Sequence, residues 1–354
     1  MRIVVVSSYP PRHCGIGIYA RAQVDRLRVD GHDVVVISPP DGDGDIRVPF
    51  GRGRQFREAV RVGGEADRIV VHFQPGVHYL PGARAAVSKI RTSLALRSLV
   101  RRRPQVEIVV HESTPRPPRW RLDLMILARV FATAQLSFHT DAERRALERD
   151  YGVRVHSRLV DHRGGVGASR TLTRDDARRR LGGNPREPLF LCAGFLHPSK
   201  GFERAIRAFE TAGSPGRLAI IGSVRDPTPE NLAYADRLHA QTERVAGASL
   251  VEEFVDDETF DLWIIAADRL VLPYRRAWSS GALARARVLG TPVIAAAIGG
   301  LIEQAGEDDE LFESDAELVT LFRRFGSVDG HPPSAPPRDP PPAADGRGSA
   351  PGCS

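Results

Sequence analysis

Short valine- and isoleucine-rich runs alternate with longer stretches whose apolar positions recur every three to four residues. The first run is Arg2–Ser8, followed by Val34–Ser38, Asp67–Phe73, Glu107–Glu112 and Ala134–Thr140. Helical spacing fills Gly17–Val29 and the segments near 82–103, 120–133 and 141–151. After a pause the rhythm restarts, with strands expected at 188–195, 217–223, 249–254, 269–274 and 292–297. Helices are expected between them at 199–212, 229–245, 257–267 and 279–290, with a short one near 315–325. Strands that are apolar throughout, each followed by a helix, imply parallel sheets covered on both faces. The chain therefore reads as α/β, with two Rossmann-like doubly wound domains facing a central cleft.

The pause is the glycine-rich stretch Asp161–Arg170, which places the division into domains. The expected organisation is a first domain over 1–162, a linker over 163–172, a second domain over 173–326 and a tail over 327–354. The tail is dense in Pro, Gly and Ala and is expected to be disordered, since it has little apolar surface to bury. Its PxxP spacing is of the kind that partner domains can bind.

Composition narrows the function classes. Fifty Lys and Arg against 44 Asp and Glu give a net charge of +6, which favours phosphate-bearing ligands or an anionic membrane surface. Basic residues are not interleaved with aromatics, so nucleic-acid binding is not expected. Cys14, Cys192 and Cys353 lie far apart and follow no metal-ligand spacing, which fits a reducing compartment without a disulfide framework. The opening apolar run is too short for a signal peptide, and no window reaches the roughly 20 apolar residues of a spanning helix. A cytoplasmic protein is expected, peripheral at most to the inner face of the membrane.

The candidate chemistry sits at strand-to-helix turns. The segment LFLCAGFLHPSKG (Leu189–Gly201) carries a strand through Gly194 and Phe195 to Lys200 at the mouth of a helix. A cation is unfavourable beside the positive end of a helix, so Lys200 needs a compensating partner, and its compact ammonium suits a phosphate. Ser279, Ser280 and Gly281 form a second turn of this kind, in which Ser280 can act as an N-cap while free backbone N–H groups suit an anion. Gly15 and Gly17 open the first helix after Tyr9–Cys14 and allow close backbone approach to a ligand. That turn is not GxGxxG, and no acidic residue closes the second strand, so a dinucleotide site is not indicated. Gly299, Gly300 and Glu303 follow the next strand and could line the same pocket. Two helix starts and one lysine converging on a cleft make a site for a diphosphate, and so point to a nucleotide-activated donor.

His72 and His111 end strands and are expected to face the cleft, with His111 the stronger candidate because Glu112 and a proline-rich loop follow it. A neutral histidine there could hydrogen-bond a sugar hydroxyl or a departing phosphate. His139 and His162 also sit at strand ends and read as structural. The acidic run Asp41–Asp45 lacks the spacing of a calcium loop and reads as a polar turn, so no protein-bound metal is expected.

These residues, in this order, resemble a family-4-type retaining glycosyltransferase of the GT-B fold (glycosyl transferases group 1). The resemblance covers about residues 1–325. It rests on PPRHCGIGIY in the first loop, on Gly194-Phe195 to Lys200-Gly201, and on Pro273-Tyr274 with Ser280-Gly281, Gly290 and Pro292-Val293. Gly299-Gly300 with Glu303 completes it. It implies transfer of a sugar from a nucleotide-diphosphate donor to a hydroxyl of a glycan or lipid-linked acceptor, with retention. The nucleotide-sugar would be a co-substrate, and no other cofactor is implied. Lys200, Ser280 and Gly281 would hold the diphosphate, the loop with Gly15 and Gly17 would close over it, and His111 would stand beside the transferred sugar. Gly194, Phe195, Gly299, Gly300 and Glu303 would form the pocket of the sugar and nucleotide.

Three features depart from the pattern. The two glutamates common in the family are replaced by Ala277 and Arg285, an arginine that often accompanies the lysine is replaced by Phe195, and only one short helix follows the last strand. They motivate an alternative, a catalytically weak GT-B protein serving as partner or scaffold of another transferase. A sugar-nucleotide epimerase would need acidic residues for proton abstraction, and no convincing pair is present. The acceptor side is marked by the segment near 82–103, where Lys89, Arg91, Arg97 and Arg101–Arg103 interleave with Ile90, Leu94, Leu96, Leu99 and Val100. A basic and apolar helix of this kind can adsorb to anionic lipid.

Overall fold

The computed structural model describes residues 1–80, 85–113, 121–162 and 172–326. Two parallel sheets organise them. The first has seven strands in the order β3-β2-β1-β4-β5-β6-β7 and the second has six in the order β10-β9-β8-β11-β12-β13. In the first domain these are β1 (Arg2–Val6), β2 (Asp33–Ser38), β3 (Ile46–Arg47), β4 (Arg68–Phe73), β5 (Val106–Val110), β6 (Gln135–Phe138) and β7 (His156–Leu159). The helices between them are α1 (Gly15–Val29), α2 (Arg54–Val62), α3 (Pro75–His78), α4 (Ala85–Arg102), α5 (Leu122–Phe131) and α6 (Asp141–Tyr151).

The second domain opens with α7 (Arg174–Arg180) and β8 (Leu189–Ala193). It continues with α8 (Phe202–Thr211), β9 (Arg217–Gly222), α9 (Pro229–Thr242), β10 (Ala248–Glu252), α10 (Asp257–Ala266) and β11 (Arg269–Leu272). It ends with α11 (Gly281–Leu289), β12 (Val293–Ala296), α12 (Leu301–Gln304), β13 (Glu310–Phe312) and α13 (Asp315–Gly326).

The central strands form as their sequence requires. Val4, Val5 and Val6 of β1 pair with Val35, Val36 and Ile37 of β2 on one side and Ile69, Val70 and Val71 of β4 on the other. With a helical layer on each face, every side chain of these strands finds apolar neighbours, and β-branched residues suit that pleated surface. Val4, Val6, Ile69 and Val71 face the core under α2, α4 and α5, while Ile3, Val5 and Val70 face α1. In the second domain one core runs through β8, β9, β11 and β12, and Phe190, Phe209 and Phe322 meet there edge to face.

Both sheets are doubly wound, so ligands should gather at the carboxyl ends of the strands, where the order reverses beside β1 and β8. Seven elements had no expected counterpart: the helices α2, α3, α7 and α12, and the strands β3, two residues long, β13, three residues long, and β7, which reads HSRL with three of its four positions exposed. The long helix expected at 82–103 is observed from Ala85 to Arg102. Most of the expected linker and all of the Pro-rich tail lie outside the described residues. Asp41–Asp45 is a polar turn tied by ion pairs, with Asp41 on Arg12, Asp43 on Arg47 and Asp45 on Arg28. Among the described residues no group of His, Cys, Asp or Glu is arranged to hold a metal, and no helix is long and apolar enough to cross a membrane. Cys14 and Cys192 are free thiols.

Candidate functional site

The two domains face each other across a cavity of about 1090 Å³. Gly15 and Tyr19 of α1 line it from the first domain, and Gly194, Phe195, Lys200, Tyr274, Ser280 and Gly281 line it from the second.

Lys200 ends a 3₁₀ turn, Pro198–Lys200, whose start is capped by His197 Nδ1 accepting from Ser199 N at 3.1 Å. The next helix, α8, begins only after Gly201. Lys200 Nζ lies 3.9 Å from the centroid of the buried Tyr274 ring, an interaction that holds the charge at the cavity wall.

The start of α11 supplies the complementary element. Ser280 is buried and caps the helix by accepting from Leu283 N at 3.3 Å. Gly281 and Ala282, whose N–H groups precede that capped donor, line the cavity. The turn is fixed from behind, where Ser280 N donates to Gln304 Oε1 at 2.7 Å. A lysine and a helix start thus line the same cavity, groups whose chemistry suits an anion.

Across the cavity the start of α1 is different. Its N-cap, Cys14, makes no side-chain cap bond. A side chain at Gly15 would meet open space, whereas one at Gly17 would press on the backbone of Ser8 and Tyr9 at 3.3 Å. Gly15 thus faces the cavity. Gly17 serves close packing of α1 on the end of β1 and does not line the cavity.

Behind Tyr19 lies a cluster of four histidines that the sequence did not group. The Tyr19 ring meets those of His72, His111, His139 and His162 edge-on, at 5.2 to 5.6 Å between centroids. His72 Nδ1 and His111 Nε2 share a hydrogen bond of 2.9 Å, and His72 Nε2 is 3.0 Å from Gln23 Oε1. His139 stacks on His162 at 4.0 Å. Burial pushes all four below the usual histidine range, His72 to about 3 and His162 to about 4, so the cluster is neutral at pH 7. It also pushes the Tyr19 hydroxyl up to about 12. Of the four, only His162 lines the cavity. His111 sits one layer back, with its Nε2 engaged by His72. Contrary to expectation, the cavity-lining histidine is one that read as structural.

Other expected pocket residues also have structural partners. Glu303 accepts from Asp141 N at 2.6 Å and Ala142 N at 2.9 Å, so its carboxylate caps α6 of the opposite domain and does not line the cavity. A side chain at Gly299 would lie 2.2 Å from Ala277 O, and one at Gly300 would lie 2.1 Å from Trp278 O and 2.7 Å from Thr140 Oγ1. Both glycines therefore permit close approach between the loop after β12, the turn before α11 and the first domain. Neither lines the cavity.

The departures from the family pattern have physical partners too. Phe195 lies in a row with Phe254, at 6.4 Å between centroids, and Phe254 stacks on His13 of the first domain at 3.7 Å. Arg225 lies 5.3 Å over the other side of Phe195, so a guanidinium reaches this corner from a different loop. Arg285 is nearly buried and paired with Asp257 and Asp261 of α10, and Asp257 also pairs with Arg21 of α1 at 2.9 Å. Its charge is neutralised in a network that bridges the domains.

Residues 187–324 match the model of the family described as glycosyl transferases group 1. The match lies within the second domain and covers less than half of the chain. A D-inositol 3-phosphate glycosyltransferase of Streptomyces bingchenggensis is 34% identical over 184 residues, covering 49% of this chain and 40% of that protein. A second, from Catenulispora acidiphila, is 32% identical over 181 residues, covering 49% of this chain and 42% of its own length. The match thus spans about two-fifths of these relatives. Sucrose-phosphate synthase from Thermosynechococcus elongatus superposes with a TM-score of 0.67 at 20% identity, covering 93% of this chain and 92% of that one. Anabaena HepE in complex with UDP-glucose superposes with a TM-score of 0.65 at 15% identity, with 93% of each chain covered. These likenesses show that the chain has the GT-B fold.

Proposed function

We propose that this protein transfers a sugar from a nucleotide-diphosphate donor to an acceptor hydroxyl, with retention at the anomeric carbon. One observation carries the reading: Lys200 and the start of α11 line the same wall of a large cavity between the two domains. A diphosphate there would be met by one ammonium and by backbone N–H groups already oriented. Such preorganised charges stabilise a leaving diphosphate without reorganisation as the bond to the sugar breaks. Tyr19 and the start of α1 close the opposite side, and a closed cleft limits hydrolysis of the donor. The relatives named above include a protein solved with UDP-glucose, which makes a UDP-sugar the first donor to test.

For the acceptor, the favoured class is a lipid-linked hydroxyl presented at an anionic membrane surface, ahead of a soluble glycan. On α4 the side chains of Val87 and Leu94 are 61% and 47% exposed, seven residues apart on one face. Arg91 lies between them, and together with Arg52, Arg54, Arg57 and Leu94 it lines a groove of about 490 Å³. Arg103 does not belong to this face, because it donates to Val60 O at 2.9 Å.

The second reading is a non-catalytic partner of another transferase. It is favoured by Arg285, whose charge is spent on Asp257 and Asp261 where the family often has a carboxylate.

The test is an assay of nucleotide release from UDP-, GDP- and ADP-glucose with mixed polyprenyl-phosphate and glycan acceptors. Acceptor-dependent release from one donor, lost in Lys200→Ala, is the expected result. Binding of a donor without release under any acceptor would move the assignment to the partner reading.

A further inference from the structure

The histidine that reaches the cavity has its proton placed by a chain of contacts starting at the phosphate-facing helix. Ser280 N can only donate, and it donates to Gln304 Oε1 at 2.7 Å. That bond fixes which way the Gln304 amide points. Its Nε2, which can only donate, then faces His162 Nδ1 at 3.1 Å and Ser280 O at 3.5 Å. A neutral imidazole that accepts at Nδ1 must carry its hydrogen on Nε2. The ring is neutral, since burial holds it at about 4. His162 Nε2 lies beside Gly281, 3.8 Å from where a Cβ on that residue would stand, at the start of α11. The ring plane is set by His139 stacked behind it at 4.0 Å and by the Tyr19 edge.

From this geometry we infer that His162 is a diphosphate-binding residue whose Nε2–H, locked in that tautomer by Gln304, donates to the donor phosphate held by Lys200 and α11. The inference rests on the nucleotide-donor reading above and names a further donor within that site. The three groups have different chemistry. Lys200 contributes a movable full charge, α11 contributes fixed backbone dipoles, and His162 contributes one directed, uncharged hydrogen bond. Because Gln304 is the first residue past Glu303, and Glu303 caps α6 of the first domain, the lock lies beside the contact that joins the domains. Docking of the domains thus presents the His162 proton to the cavity.

The experiment compares His162→Asn, His162→Gln and Gln304→Leu with the wild-type full chain. Calorimetric titration with UDP, GDP and ADP identifies the nucleotide that binds, and the matching nucleoside serves as a control without phosphate. The shorter Asn amide sits where Nδ1 lies, and the longer Gln amide can place an N–H near the Nε2 position. His162→Asn should weaken the diphosphate about tenfold or more and leave the nucleoside unchanged, as expected for one hydrogen bond to a charged acceptor. His162→Gln should recover most of that loss. In histidine ¹⁵N spectra the wild-type ring should show the Nε2–H form, and Gln304→Leu should show a mixture. Equal diphosphate affinity in His162→Asn and wild type, or an Nδ1–H ring in the wild type, overturns the inference alone. Absence of binding by all three nucleotides to wild type overturns the donor reading and the inference with it.

Discussion

The two walls of the cleft are built on the same topology and carry different groups. On the second domain, Lys200 and the capped start of α11 offer an ammonium and free N–H groups, with Glu253, Asp257, Glu258 and Asp261 also lining the cavity. On the first, an uncapped helix start stands in front of a neutral cluster of four histidines around Tyr19. One wall carries groups suited to an anion, and the other is backed by neutral imidazoles, with Arg21, Asp25 and Arg26 of α1 also lining the cavity. The difference teaches how one fold can divide binding from positioning, since groups that hold substrate and leaving group alike do not favour transfer.

The largest expected effect tests whether the histidine cluster behind the first wall is neutral. The four clustered histidines, together with His78 at about 4, are held below the unfolded value of 6.5 by burial. Between their folded values and 6.5 the unfolded chain binds more protons, so stability is full above about pH 6.5 and falls as pH drops. Each such group contributes roughly 1.4 kcal/mol per pH unit across that window. Glu143 acts in the opposite sense. Its carboxyl is pushed up to about 7 by burial, so its contribution is lost as pH rises from about 4.5 to 7. Urea unfolding at pH 7 and pH 5 should show a marked loss at pH 5. Equal stability at both would mean that the cluster is open to protons in the folded state, and the contrast between the walls would fail.

The charged wall is tested by activity. Lys200→Ala should lower kcat/KM by roughly 100-fold, the scale of losing one preorganised group at a developing charge, with the apo melting temperature unchanged. An activity within a fewfold of wild type would assign the binding potential to the helix start alone.

The seam between the walls comes next. Gly300→Ala would place a methyl group against Trp278 O and Thr140 of the other domain. Overpacking there should cost about 1–3 kcal/mol and loosen domain docking, visible as faster limited proteolysis. Unaltered proteolysis with reduced stability would confine the role of Gly300 to its own domain.

The smallest effect on the fold itself concerns the outer face of the first domain. Replacing Arg91, Arg101 and Arg102 with Ser should leave stability within about 0.5 kcal/mol. Co-sedimentation with phosphatidylserine vesicles should fall by about 1 kcal/mol of binding per arginine. Unchanged co-sedimentation would remove the lipid surface from the acceptor proposal.

Much of this was readable in the chain. The strands beside each topological reversal are apolar at nearly every position, so β1, β4, β8 and β11 and the turns after them could be placed from pattern alone. The same turns carry Lys200, Ser280 and Gly281, whose types already indicate an anion. Edge strands escaped because the signal is weak there: β3 is two residues long and β7 is polar and exposed. His162 escaped for a different reason. Its role depends on Gln304, 142 residues away, and on the stack with His139, and no local pattern encodes either. Gly299, Gly300 and Glu303 were legible as special residues, but their partners, Ala277, Trp278, Thr140 and the start of α6, lie across a seam that only the folded chain forms.

The most direct test of the central claim is a thermal-shift titration of UDP, GDP and ADP, with their sugar conjugates, on wild type and Lys200→Ala. A ligand that binds only the folded state raises the melting temperature by mass action, by an amount set by its concentration relative to Kd. The account predicts a shift with one nucleotide family that is lost in Lys200→Ala. No shift with any of them, or an equal shift in both proteins, would contradict a diphosphate site at Lys200 and the start of α11.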